Sequence, residues 1–160
     1  MGQYIYQLSD KPIPKTDYYG EEDFYETEFL GRIASCIEPI KSRENALTDL
    51  QEWLCINCLG KYEKGMITLN SDLNESNYFA ERYPKFIETA NKLSAISEKE
   101  FCAEYHKISD LLYDLGQVLV NSWLDYVWID TNEPMPIEQF IRTYSDSGPF
   151  YIGGIFSYRL

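Results

Sequence analysis

The sequence predicts an α+β fold that is predominantly helical, with five or six helices and a small sheet formed by the N- and C-terminal strands. Three observations carry this. Apolar residues alternate at both ends of the chain, they recur at helical spacing through most of the middle, and Pro, Gly or a capping residue marks the breaks. A chain of 160 residues makes one domain, 1–160, and 44% apolar with 16% aromatic content supplies a core. No repeat, low-complexity tract or linker divides it.

The first strand is predicted over 3–9, where Tyr4, Tyr6 and Leu8 alternate with Gln3, Ile5 and Gln7. The Pro-stiffened stretch 10–15 then runs as an extended connection. From Glu21 the spacing predicts a helix with Tyr25, Phe29, Ile33 and Cys36 on one stripe, closed by Pro39. Ser42 caps the next helix, which turns Leu47, Leu50, Leu54 and Cys58 inward and stops at Gly60. Residues 65–70 form a short strand or extended link. A further helix bears Phe79, Tyr83, Phe86, Ile87, Ala90 and Leu93, with Pro84 kinking or restarting it.

Ser97 and Glu100 compose a capping box. Behind it Phe101, Tyr105, Ile108, Leu112 and Leu115 keep a 3.5-residue period, which Leu119, Trp123 and Tyr126 continue as one long helix across Gly116. The apolar, partly β-branched run 117–129 also fits a strand. Residues 137–144 give a short last helix. The C-terminal strand alternates Phe150, Ile152, Phe156 and Tyr158 against Tyr151, Ile155, Ser157 and Arg159, with Gly153 and Gly154 allowing a bulge or close packing. Two terminal strands that each need a partner pair most simply with one another.

Charge narrows the function. Twenty-six acidic against 14 basic residues leave a net charge of −12, a surface that repels nucleic-acid backbones and anionic lipid and attracts cations. Direct nucleic-acid or membrane binding is therefore not expected. No apolar run reaches the length of a membrane span. The start of the chain lacks the pattern of a secretory signal, and four cysteines in that setting predict reduced thiols and a cytoplasmic protein.

Few constellations carry chemistry. Cys55 and Cys58 form a Cys-x-x-Cys, and Cys102 and His106 stand one helical turn apart, so the four could close a tetrahedral zinc site. Cysteine is equally at home in an apolar core, and Cys58 falls on the same predicted stripe as Leu50 and Leu54. His106 is the only histidine, and no Gly-x-Ser-x-Gly elbow, phosphate-binding loop or dinucleotide fingerprint accompanies it. The acidic pairs Glu22/Glu26, Glu100/Glu104 and Asp110/Asp114 share i, i+4 spacing that suits cation binding or a wet helix face. The sequence predicts no catalytic residue and no cofactor.

The segment 17–29, "DYYGEEDFYETEF", is the most distinctive. It holds six carboxylates and five aromatic rings in thirteen positions, without a basic residue. On an α-helical wheel Tyr25 and Phe29 point to the core while Phe24 lies opposite, leaving Tyr18, Tyr19 and Phe24 as candidate anchors within a rim of Glu21, Glu22 and Glu26. Aromatic anchors in a charged rim suit a basic protein surface. The sequence thus predicts a non-enzymatic, acidic, cytoplasmic binding protein that neutralises a basic protein partner, as an immunity protein does a toxin. A phage-type anti-restriction or anti-CRISPR inhibitor that mimics nucleic acid is one alternative. A zinc-stabilised interaction module on Cys55, Cys58, Cys102 and His106 is another. Oligomeric state is not specified by these patterns.

Overall fold

The structure, a computed structural model, describes residues 3–120, 123–129 and 133–160. Its organising element is the last strand, here β7 (Phe150–Arg159), which runs antiparallel to β1 (Tyr4–Ser9). The two terminal strands pair as their alternation predicts. Tyr4 lies opposite Ser157, Tyr6 opposite Ile155 and Leu8 opposite Ile152, with a register shift between Tyr6 and Leu8. Gly153 and Gly154 occupy that irregularity for a steric reason. A Cβ on Gly153 would sit 2.6 Å from Oε1 of Gln7, and the Gly154 N–H donates to the same oxygen at 2.8 Å.

The sheet is larger than the expected two-stranded one. Among the described residues seven strands order as β3-β4-β7-β1-β5-β6, with β2 also paired to β7. β5 (Tyr126–Ile129) lies parallel to β1, and β6 (Met135–Pro136) is antiparallel to β5. On the far side of β7, β4 (Met66–Leu69) pairs near Phe150 and β2 (Cys36–Pro39) near Tyr158. β3 (Gly60–Glu63) and β4 form a hairpin through Lys64 and Gly65, both at positive φ, as a tight two-residue turn requires.

Helices cover one face. α2 (Arg43–Ile56) is capped by Ser42, whose hydroxyl accepts from the Asn45 N–H, and it buries Ala46, Leu50, Trp53 and Leu54. α6 (Ile137–Tyr144) buries Ile137, Phe140 and Ile141. These side chains meet Tyr6, Leu8, Val127, Ile129 and Ile155 in the main core. The opposite sheet face, bearing Ile5, Trp128, Phe156 and Tyr158, is covered by the segment before β2, through Phe24, Phe29 and Ala34. This double-sided cover explains why β1 and β5 bury consecutive residues.

The remaining helices form an arm of α3 (Asn77–Ser94), α4 (Glu98–Ala103) and α5 (Tyr105–Gln117) in which no residue is fully buried. α3 continues through Pro84 rather than restarting there. The Ser97–Glu100 capping box forms as predicted, with Ser97 N–H donating to Glu100 at 3.0 Å and Glu100 N–H to the Ser97 hydroxyl at 3.3 Å.

Four further expectations are corrected. The helix expected from Glu21 to Cys36 is a 3₁₀ turn (Glu21–Glu26), one distorted turn α1 (Phe29–Arg32) and the start of β2. The long helix from Ser97 breaks at Glu104 and ends at Gln117, and Tyr126 belongs to a strand, because β1 has a free edge that an apolar segment can pair with. Leu112, placed by its period on a core stripe, is 56% exposed, since α5 packs mainly on α3 and α4 and not on the sheet. α2 stops before Gly60, and Cys58 sits in the left-handed region after it, off the buried stripe.

Candidate partner-binding face

The acidic segment is built on a three-residue period. A 3₁₀ turn places residues 21, 24 and 27 on one side, and Phe24 there is fully buried while Glu22, Asp23, Tyr25 and Glu26 face solvent. The expected roles of Phe24 and Tyr25 are thus exchanged. The cause is the tighter helix. At 120° per residue Phe24 aligns with Glu21 and Thr27, whereas the 100° wheel aligned Tyr25 with Phe29.

Phe24 holds the segment to the sheet. Its ring lies 4.6 Å from Trp128 and 5.0 Å from Phe156, with Phe29 behind it at 6.3 Å. Phe24 therefore cannot contact a partner directly, and its part is to fix the carboxylates around it. Local bonds sharpen the turn: the Gly20 N–H donates to Asp23 at 2.6 Å, and the Thr27 N–H and hydroxyl both donate to the Phe24 carbonyl.

Gln7 fastens the beginning of the segment. Its amide donates to the Asp17 carbonyl at 3.0 Å, and its Oε1 accepts from the Tyr19 N–H at 3.1 Å. Tyr18 and Tyr19 are half-buried. The Tyr19 ring lies 4.5 Å from Trp128, and the Arg43 guanidinium stands 5.5 Å over the Tyr18 ring. Tyr25, by contrast, is 76% exposed.

The outer surface is an acidic ledge. Asp17, Glu22, Asp23, Glu26 and Glu28 are exposed, Glu21 is half-exposed, and Glu133 joins them by accepting from the Glu28 N–H at 3.1 and 3.2 Å. Among the described residues its ion pair is Arg32 with Glu28, exposed on both sides at 3.2 Å. That pair offsets one of the ledge's negative charges and, being exposed, adds little stability. The ledge has the electrostatics of a cation-attracting surface, and the exposed Tyr25 ring lies within the same stretch of chain.

The other predicted constellations do not assemble. Among the described residues no three His, Cys, Asp or Glu side chains are placed to hold a metal ion, so Cys55, Cys58, Cys102 and His106 form no site. Cys55, Cys58 and Cys102 are exposed, the first two at the end of α2 and the third on the arm. Glu22/Glu26 and Asp110/Asp114 face solvent. Glu100 is drawn to Lys107 at 2.7 Å and to Ser97, which together hold its carboxyl down at about 2.

Sequence reasoning missed two buried acids, Asp125 and Glu138, the latter paired with Arg82 at 2.7 Å. Asp125 is 1% exposed and accepts from the Tyr4 N–H at 2.8 Å, the Tyr6 hydroxyl at 3.3 Å and the Trp123 indole N–H at 2.5 Å. Burial pushes its carboxyl up to about 7, against the pull of those three donors, and Asp49 adds repulsion. The signal was an aspartate inside an otherwise apolar run, Trp123 to Ile129. Asp125 joins the start of β1 to the approach to β5, and its carbonyl accepts from the Ile137 N–H.

Comparisons of the chain with family models, with curated proteins and with solved structures give no match. No helix among the described residues is long and apolar enough to cross a membrane.

Proposed function

We propose that this chain is a non-enzymatic binding protein whose acidic ledge covers a basic surface of another protein, in the manner of an immunity protein opposing a cationic toxin in the cytoplasm. The observation that carries it is the ledge itself. Carboxylates at 21, 22, 23, 26 and 28 project from a backbone clamped by Phe24 and Gln7, and no cation lies among them in sequence. A clamped segment loses little further conformational entropy on docking, and its charge accelerates encounter with a basic partner. The exposed Tyr25, with the half-buried Tyr18 and Tyr19 beside it in sequence, supplies aromatic contact within the charged rim.

The test is capture from a lysate of the organism that encodes the protein, using the immobilised wild type and a Glu22→Gln/Asp23→Asn/Glu26→Gln variant. The wild type should retain a basic protein that the variant loses. The same proteins on both columns would refute the ledge as the binding face. Displacement of the captured protein by duplex DNA would favour the nucleic-acid-mimic version over a toxin that binds no DNA.

A further inference from the structure

A cleft of about 500 Å³ opens between the start of α3, the end of α5 and α6. One wall is a helical face, Phe79, Tyr83 and Phe86 at i, i+4 and i+7, and the other is Val118 and Leu119. Its size falls within the range of small-molecule sites, and like them it is apolar with few polar groups. They include Asn74 at one rim and two arginines, Arg82 and Arg142, which carry the charge.

The two differ in what holds them. Arg82 is committed: it pairs with Glu138 at 2.7 Å, donates to the Val120 carbonyl at 3.1 Å and lies over the Tyr78 ring. Arg142 stands 4.4 Å over the Phe79 ring and makes no ion pair or hydrogen bond with any described residue. The chain's other three arginines are all tied, Arg32 to Glu28, Arg159 to Glu38 and Arg43 to the carbonyls of Ile152 and Gly153. In a protein of net charge −12, a guanidinium left without a carboxylate beside an apolar cleft is a specific arrangement. Its five donors in a rigid fork match a carboxylate, and the stack on Phe79 fixes the plane of the fork. Burial, and after it the nearby Arg142 charge, lower the pKa of Arg82, so an anion between the two arginines would relieve repulsion already present.

We propose that this cleft binds an apolar monocarboxylate, with the carboxylate on Arg142 and the chain along Phe79, Tyr83 and Phe86. The seven-residue span from Phe79 to Phe86 is about 10 Å long at the helical rise, which suits a medium-chain acid. The site is independent of the acidic ledge and needs no protein partner.

Titration of the full chain with decanoate, below its micelle concentration, and with decanol as a neutral counterpart tests this by calorimetry and by NMR. Decanoate should bind one site, with shifts centred on Phe79, Tyr83, Phe86 and Val118, and decanol should bind at least about tenfold more weakly, since it lacks the charged hydrogen bond. Arg142→Gln should bring decanoate down to the affinity of decanol, while Phe86→Asp should remove both, each with an unchanged unfolding curve. Absence of saturable binding, equal binding of the two ligands, shifts centred elsewhere, or an Arg142→Gln variant that binds decanoate normally would each overturn the assignment.

Discussion

Replacing Phe24 and Tyr25 one at a time separates the 3₁₀ description of the acidic segment from the α-helical one. Phe24 is fully buried and packs against Trp128, Phe156 and Phe29, three rings of a satellite core of only seven buried residues. Truncating a buried Phe to Ala costs about 3–5 kcal/mol, from lost transfer energy plus the cavity left behind. The segment is a cover over the sheet rather than part of its strands, so it can detach locally. That escape caps the loss near the low end, about 3 kcal/mol. Tyr25 is 76% exposed, and Tyr25→Ala should change stability by about 0.5 kcal/mol or less. Urea unfolding followed by tryptophan fluorescence measures both, provided the slope m stays constant. Trp128, against the Phe24 ring, makes fluorescence a direct reporter of this site. A Tyr25→Ala loss of about 2 kcal/mol or more, with Phe24→Ala near neutral, would mean that the segment is helical after all.

The arm and the core should respond differently: Leu54→Ala, 1% exposed in α2, should cost about 2–5 kcal/mol, and Leu112→Ala, 56% exposed in α5, about 0.5 kcal/mol or less, in the same denaturation assay. Gly60→Ala should destabilise by about 1–3 kcal/mol, because its Cβ would collide with the Thr68 carbonyl oxygen and force β3 from β4. Asp125 sets a pH dependence. Its folded value of about 7 lies above the ordinary 3.8, so the folded state binds the proton more tightly. The stability it contributes is complete below about pH 4 and is lost as pH rises through 7. Subtracting the unfolding curve of Asp125→Asn from that of wild type should show stability falling from about pH 4 to about pH 7 and levelling off above, and a difference that rises with pH would contradict the burial assigned to this carboxyl.

Much of the fold was legible where a local signal and a tertiary need coincide. Residues 137–144 and the Ser42 and Ser97 caps read directly, because amphipathic spacing and capping chemistry are local. The pairing of β1 with β7 followed from two alternating segments that each required a partner. The misses have a common origin in tertiary context. Tyr126 to Ile129 is apolar enough for helix or strand, and the open edge of β1 decides for strand. Leu112 keeps a core-like period on a helix that the body of the protein does not cover.

The candidate site was legible by composition and not by geometry. Glu21, Glu22 and Glu26 were identifiable from charge density alone, since charge needs only exposure. Which ring points inward depends on 20° per residue, the difference between two helix types, and that small angle moves Phe24 from the rim to the core. A glycine before the acidic run and Thr at the third position after Phe24, whose hydroxyl caps the Phe24 carbonyl, are the sequence features that accompany the tighter turn.

The most direct test of the acidic ledge is the association rate of the captured basic protein as a function of ionic strength, measured for wild type and for Glu22→Gln/Asp23→Asn/Glu26→Gln. Charged surfaces that steer encounter lose their advantage as the screening length shrinks from about 30 Å at 0.01 M salt to about 8 Å at 0.15 M. The wild-type rate should fall by about tenfold or more over that range, and the neutralised variant should start lower and vary less. Equal rates for the two proteins, or a wild-type rate indifferent to salt, would contradict the ledge as the binding face.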